Sequence, residues 1–366
     1  MIHKIALTMI DGVGDVLARQ LLQSMGSAEA VFVEKQRLLA KIPGIGAKLA
    51  SEIVKPSVLA RAEKECAFVE KNKIKTFFIA DENYPFRLRE LTDAPILFYY
   101  KGNADLNAPR IISIVGTRKA SEYGRGLTEK FLKDIAELLP NTLVVSGLAY
   151  GIDIHSHQQA LHLGLPTVGV LAHGLDRIYP AVHRKTAIEM LEKGGLLTDY
   201  PHETSPDRPN FVHRNRIVAG LSDATIVVES AERGGSLITA DIAFSYDRSV
   251  FAFPGRVHDL SSKGCNLLIR QNKAALISSA KDFVSAMMWD IPKVSTPTPM
   301  QGSFQFDPPV FDHPILQVLH EKQELHVNQL AKLLSLPVHE LTSQLFELEM
   351  QGRIKVLPGN VYKVNL

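Results

Sequence analysis

A doubly wound α/β domain with a mostly parallel sheet, preceded by a small helical domain and followed by a winged helix, is the architecture this sequence predicts. Three observations carry the expectation. From residue 110 to about 285, short unbroken apolar runs rich in β-branched residues alternate with amphipathic stretches of helical length, which is the pattern of parallel strands buried on both faces. Before residue 72, two turns of one form, Ile10-Asp11-Gly12-Val13-Gly14 and Ile42-Pro43-Gly44-Ile45-Gly46, each lead into a helical pattern. Helical periodicity over 313–351 then gives way to two short strands around Pro358-Gly359-Asn360.

Composition bounds what such a chain can be. Its 366 residues suit two or three domains. With 45% hydrophobic and 22% charged residues, disorder, collagen and coiled coil are excluded as whole-chain descriptions. Cys66 and Cys265 stand far apart without a Cys-x-x-Cys spacing, so neither a disulfide framework nor a thiolate zinc site is expected, and a reducing cytoplasm fits. No apolar run approaches the roughly 18 residues of a membrane span, and Asp11 interrupts the first apolar stretch; no membrane association is expected. The 41 Lys plus Arg nearly balance the 39 Asp plus Glu, so local placement of charge has to decide what the chain binds.

Residues 1–72 are expected to form short helices with the two glycine turns between them. Gly-hydrophobic-Gly before a helix is the spacing of a helix-hairpin-helix, in which glycines let amides at a helix N-terminus approach a phosphate; a plain interhelical turn is the alternative. Residues 73–290 form the α/β domain. It opens with a connector containing Tyr84-Pro85, Ala94-Pro95 and the run Ile96 to Tyr100 that extends the sheet. Strands then follow at Ile111 to Val115, Leu143 to Val145, Thr167 to Leu171, Leu196 to Thr198, Thr225 to Val228 and Val250 to Ala252. Residues 291–310, with five prolines among Ser, Thr and Gln, are a linker. Residues 311–366 are the winged helix, with strands at Arg353 to Leu357 and Val361 to Val364.

Ligands of an open α/β sheet bind beyond the carboxyl ends of the strands. The loops expected there are Gly116-Thr117-Arg118-Lys119, Ser146-Gly147-Leu148-Ala149-Tyr150-Gly151, His173-Gly174-Leu175-Asp176 and Arg233-Gly234-Gly235-Ser236. Several of them place small residues at helix starts, where free amides and the helix dipole favour anions. None has the spacing of a P-loop or of the dinucleotide fingerprint. Cations also gather after the strands: Arg118 and Lys119; Arg184 and Lys185; Arg208, Arg214 and Arg216; Lys263 and Arg270. Lined along one rim, they make an extended basic groove suited to a chain of phosphates.

The residues Gly116-Thr117-Arg118, Ser146-Gly147-Leu148-Ala149 with Gly151-Ile152-Asp153, Gly174-Leu175-Asp176 with Tyr179-Pro180, Arg214-Asn215-Arg216-Ile217, Gly234-Gly235-Ser236 and Pro254-Gly255 carry a resemblance to the DNA-processing protein A (DprA, or Smf) family. It spans nearly all of 75–285 in order, and the flanking modules suit the longer members. The resemblance implies an extended Rossmann-like domain between a helical, SAM-like N-terminal domain and a winged helix. It also implies single-stranded DNA binding, homodimerisation, partnership with the RecA recombinase in natural transformation, and no cofactor or turnover. Two departures weaken the expected DNA contact. Ala181 follows Tyr179-Pro180 where members often carry a cation, so that contact passes to Arg184 or Lys185. His213 stands where members tend to carry arginine, and its charge depends on pH.

The candidate nucleic-acid-binding residues are Gly116, Thr117, Arg118, Lys119, Ser146, Gly147, Tyr150, Arg184, Lys185, Phe211, Arg214, Asn215, Arg216, Gly234, Gly235, Ser236, Lys263 and Asn266. Arg118 leads them, since a guanidinium just past a strand end can fork onto a phosphate; a salt bridge to Glu122 is the alternative. Phe211 or Tyr150 offers a face for base stacking. Asp153 and His157, four apart, raise a metal site; a helix cap and a hydrogen-bonded structural histidine are expected instead, with no metal. The winged helix offers a negative: Val338 to Gln351 contains Glu340, Glu347 and Glu349 without a cation, so a protein contact is expected there rather than major-groove reading. The rival to a binding protein is a phosphoribohydrolase-like enzyme with Gly-Gly-Ser cradling a nucleotide phosphate, although Arg233 to Ala240 lacks the carboxylate of that signature. A duplex-DNA reader is the third possibility.

Overall fold

The computed structural model describes residues 1–289 and 313–365, which fall into two compact units, Met1–Ser278 and Ser279–Leu366. The expected linker, 291–310, lies outside the described residues. The expected division at 72/73 falls inside the first unit.

The first unit opens with six helices, α1 (Ile2–Leu7), α2 (Asp15–Met25), α3 (Ala28–Val33), α4 (Gln36–Leu39), α5 (Gly46–Ile53) and α6 (Pro56–Lys71). Gly12 and Gly44 each sit at φ +79°, left-handed backbone that favours glycine. A Cβ on Gly12 would lie 2.9 Å from Leu49, and one on Gly44 3.0 Å from Leu17. The two hairpins therefore face one another, each turn pressed on the other's helix. Their buried residues, among them Ile5, Leu21, Leu39 and Ile53, form one core with Phe78, Leu97 and Tyr99. That continuity packs the helices against the β1–β2 end of the sheet.

The chain continues as β1 (Lys75–Phe78), α7 (Phe86–Arg89), β2 (Leu97–Gly102), β3 (Ile111–Val115), α8 (Glu122–Leu138), β4 (Leu143–Ser146), α9 (Ile152–His162), β5 (Thr167–Val170), α10 (Arg184–Glu192), β6 (Gly194–Thr198), α11 (Arg208–Leu221), β7 (Ala224–Val227), α12 (Gly235–Ser245), β8 (Ser249–Ala252), α13 (Lys263–Arg270) and β9 (Ala275–Leu276). The sheet order is β1-β2-β6-β5-β4-β3-β7-β8-β9. β1 and β2 pair antiparallel at one edge, and β6 through β9 are joined in parallel. β3, β4, β5 and β7 are buried at every position, as unbroken apolar strands require. Strand order reverses between β3 and β7, and that switch point opens a crevice at the carboxyl ends. At the opposite end of these strands, buried Arg87 donates from Nε and Nη2 to the two oxygens of Asp223 at 2.6 and 3.0 Å. The same arginine reaches the Ala108 carbonyl, tying α7 to the sheet.

The second unit contains α14 (Ala280–Ala286) and, among residues 313–365, α15 (Pro314–Lys322), β10 (Leu325–His326), α16 (Val327–Leu334), α17 (Val338–Met350), β11 (Ile354–Leu357) and β12 (Val361–Val364). The sheet order β10-β12-β11 and the core of Ile315, Leu319, Leu330, Leu341, Leu345 and Leu348 make the expected winged helix, with α17 in the recognition position.

Candidate nucleic-acid interface

The strand-end loops meet in a cavity of about 520 Å³. It is lined by Gly116, Thr117 and Arg118 after β3, Gly147 and Ala149 after β4, and Tyr179 after β5. Phe211, Arg214 and Asn215 of α11, with Gly234, Gly235 and Ser236 at the start of α12, complete the wall. Ten of the sequence candidates thus converge on one hollow at the switch point. Arg208, Arg233 and Tyr179 also line it. The first two stood in the cation clusters and loops of the sequence, but nothing in the sequence showed that they face this cavity. Tyr179 had only its place beside Pro180 to mark it.

Local geometry explains why glycines are needed here. Gly151 sits at φ +79°, and a Cβ on it would lie 2.1 Å from the Thr117 carbonyl, so the loops after β3 and β4 could not touch. A Cβ on Gly147 would come 2.5 Å from Arg214 Nη2 and 2.7 Å from Asp153 Oδ2. Gly234 caps α12 and Gly235 begins it, and both line the cavity with Ser236, at a helix start of the kind that favours anions.

Cations outnumber anions on the wall: Arg118, Arg208, Arg214 and Arg233 against Asp153. Arg118 is exposed, and among the described residues no ion pair joins it to Glu122. Its guanidinium lies 5.6 Å from the centre of the Phe211 ring, and that of Arg214 6.0 Å. Tyr179 packs at 5.9 Å from Phe211, so two rings and two guanidinium groups form one planar-faced cluster.

Beneath it, Arg214 is 3% exposed and donates through Nη1 to the carbonyls of Gly147, at 2.7 Å, and of Val170. Burial lowers its pKa to about 10, which leaves it charged at neutral pH. Burial raises the Asp153 carboxyl, while Arg214 and the amides of Ala149 and Gly147 oppose the rise. Asp153 does not cap α9: Gly151 occupies the cap position. Its carboxylate instead turns back to the Gly147 amide at 3.2 Å and holds the loop after β4. His157 is fully buried, with Nδ1 2.7 Å from Thr167 Oγ1. Burial pushes it down to about 3, with Arg214 and His183 adding to the effect, so it is neutral.

Eight candidates stand outside the cavity. Arg216 is the principal correction: it is buried, and its Nη2 bridges Asp199 at 2.6 Å and Asp15 at 3.0 Å. Helical spacing put it two residues from Arg214, and a 200° rotation turned it away from the rim. Asp15, Asp199 and His213 cluster at ligand distance, but that guanidinium already lies between the two carboxylates. Ser146 is buried and donates to the Ile114 carbonyl at 2.6 Å, fastening β4 to β3. The Asn266 amide is used in both directions by Gly255. Tyr150 is exposed and stands edge-on to His183 at 5.0 Å. Lys185 lines a separate hollow with His162 and Glu189, and Arg184 another with Leu175 and Leu191. Lys119 and Lys263 are exposed without lining the cavity.

Comparison with known proteins matches three stretches of the chain. The family described as DNA recombination-mediator protein A matches residues 75–288, the DprA winged helix domain 312–360 and the SAM-like helix-hairpin-helix tandem 4–55. The DNA processing protein DprA of Streptococcus pneumoniae is 38% identical over 216 residues, 59% of this chain and 75% of that protein. Protein Smf of Escherichia coli is 33% identical over 290 residues, 77% of this chain and 75% of its own length. Among solved structures, the Streptococcus pneumoniae protein superposes with a TM-score of 0.64 at 34% identity, covering 78% of this chain and 97% of that one. A Helicobacter pylori DNA processing protein A, solved for its single-stranded DNA binding mode, gives a TM-score of 0.54 at 29% identity over 60% of this chain and 97% of its own.

Proposed function

The chain belongs to the DNA recombination-mediator protein A family, and from that premise we propose that it binds single-stranded DNA across the strand-end cavity without turning it over. One observation carries the reading: an arginine-rich wall, glycine-lined helix starts and the Phe211–Tyr179 pair share a single hollow. Each supplies a different part of what an unpaired strand presents. Guanidinium groups and free amides suit phosphate, and aromatic faces suit unstacked bases at about 1–3 kcal/mol per base. Contacts of this kind go to backbone and base faces rather than base edges, so sequence preference is slight. The phosphoribohydrolase alternative needs a carboxylate free to act, whereas Asp153 is engaged by the Gly147 and Ala149 amides.

In this reading the protein works as a homodimer that protects incoming single strands and hands them to the RecA recombinase in natural transformation, in the cytoplasm. The direct test is a titration of oligonucleotides of graded length at several salt concentrations. About four neutralised phosphates give a log-log salt slope near 3 for single strands. A slope near zero, tighter binding of duplex than of single strands, or release of base from nucleoside monophosphates would each overturn it. Mixing the DNA complex with RecA and scoring filament assembly tests the hand-over separately.

A further inference from the structure

The solvent face of α17 carries chemistry that the proposed DNA role leaves unused. Leu341, Leu345 and Leu348 bury one side of the helix. On the other side Phe346 is 62% and Met350 74% exposed, one turn apart and therefore side by side. At about 100° per residue, His339, Thr342 and Ser343 continue that stripe. Glu349 borders it at about 60° on one flank, and Glu347 and Glu340 at about 100–120° on the other. All three glutamates are exposed. The helix in the recognition position thus shows the apolar pair Phe346 and Met350 between two acidic flanks, with no lysine or arginine along its length and His339 Nε2 3.8 Å from Glu340.

We propose that this face docks a cationic amphipathic segment of a partner protein, with Phe346 and Met350 receiving its apolar side and Glu340, Glu347 and Glu349 its lysines or arginines. Charge complementarity selects this occupant. A phosphate backbone meets repulsion from three carboxylates. A second copy would set glutamate rails against each other, since an isologous contact uses the same patch on both chains and both flanks of this one are acidic. The chain's own segment 291–310 has Lys293 as its one cation and Asp307 to cancel it.

The test uses the full-length chain and a fluorescein-labelled helical peptide, (Leu-Lys-Lys-Leu-Leu-Lys-Leu)2, followed by anisotropy. Binding is expected to weaken at least tenfold in a Phe346→Ser, Met350→Ser chain and in a Glu347→Lys, Glu349→Lys chain. The charge-reversed chain should in turn bind the same peptide with glutamate in place of lysine. All four positions are exposed, so thermal melting stays unchanged, and single-stranded DNA affinity stays within twofold because the strand-end cavity is untouched. Unchanged peptide affinity in both variants overturns the proposal. So does self-association of the wild-type chain that Phe346→Ser abolishes, or displacement of the peptide from wild-type protein by duplex DNA.

Discussion

Helix α11 serves two neighbouring regions that use the same residue types for opposite ends. Towards the strand-end cavity, Arg214 and the adjacent Arg118 flank Phe211, with Asp153 as the one carboxylate on the wall. On its other side Arg216 meets Asp15 and Asp199, donates to the Asp93 carbonyl at 2.6 Å, and sits beside Tyr246, whose hydroxyl binds Asp93. One region keeps an excess of positive charge around an open hollow, four arginines to one carboxylate, and the other cancels its charge inside the protein. Counting arginines along a helix therefore says little about the field outside it; pairing decides.

Four experiments sharpen or break that contrast. Arg216→Ala strands Asp15 and Asp199 in a buried site, and loss of one partner of a buried pair costs about 3–5 kcal/mol. A urea unfolding curve should show that loss, while single-stranded DNA affinity of the folded fraction changes less than threefold. A stable variant with lost DNA binding would erase the distinction. Arg118→Ala should do the reverse: unchanged unfolding, and a Kd for a single-stranded oligonucleotide raised by roughly 10- to 150-fold, the equivalent of about 1.5–3 kcal/mol for a hydrogen bond to a charged group. Full affinity in that variant removes the site. Phe211→Ala withdraws a stacking face and the ring that both guanidinium groups cover, so a loss of about 1–3 kcal/mol is expected, with a salt slope like that of the parent. A reduced slope would mean that the ring had been positioning the arginines.

The fourth experiment concerns pH. His157 is neutral when folded because burial lowers it from 6.5 to about 3. Its contribution to stability is complete above pH 6.5 and is lost as pH falls towards 3, because the unfolded chain takes up the proton first. His157→Gln should flatten the pH dependence of the unfolding free energy between about pH 6 and pH 4. An unaltered acid limb would show that the floor under the cavity is not held by a neutral histidine.

The strands were the most legible part of the chain. Ile111 to Val115 appears as β3 without adjustment, and the other expected runs differ from β4 to β8 by a residue or two at their ends, whereas the short parallel edge strand β9 corresponds to no expected run. A strand covered on both faces writes its burial into every side chain. The site was legible in outline for a related reason: small residues after a strand must serve a close approach, and at Gly147 and Gly151 they do. Direction was not legible. Ser146 and Asn266 carry polar groups suited to a ligand, but their hydrogen bonds go to Ile114 and Gly255. Arg184 and Lys185 follow the right strand and line other hollows.

Sequence by itself determined the alternation of strand and helix, the positions of the two glycine hairpins, and the absence of lysine and arginine from α17, because each depends on residue type and local spacing. Only the tertiary structure decided which arginines keep their charge for a ligand. That choice rests on where carboxylates from other segments arrive: Asp15 reaches Arg216 across 201 residues of chain, and Asp199 across 17. Among the described residues none reaches Arg118. Coulomb interactions act through space at a few ångströms, and linear order does not record those distances.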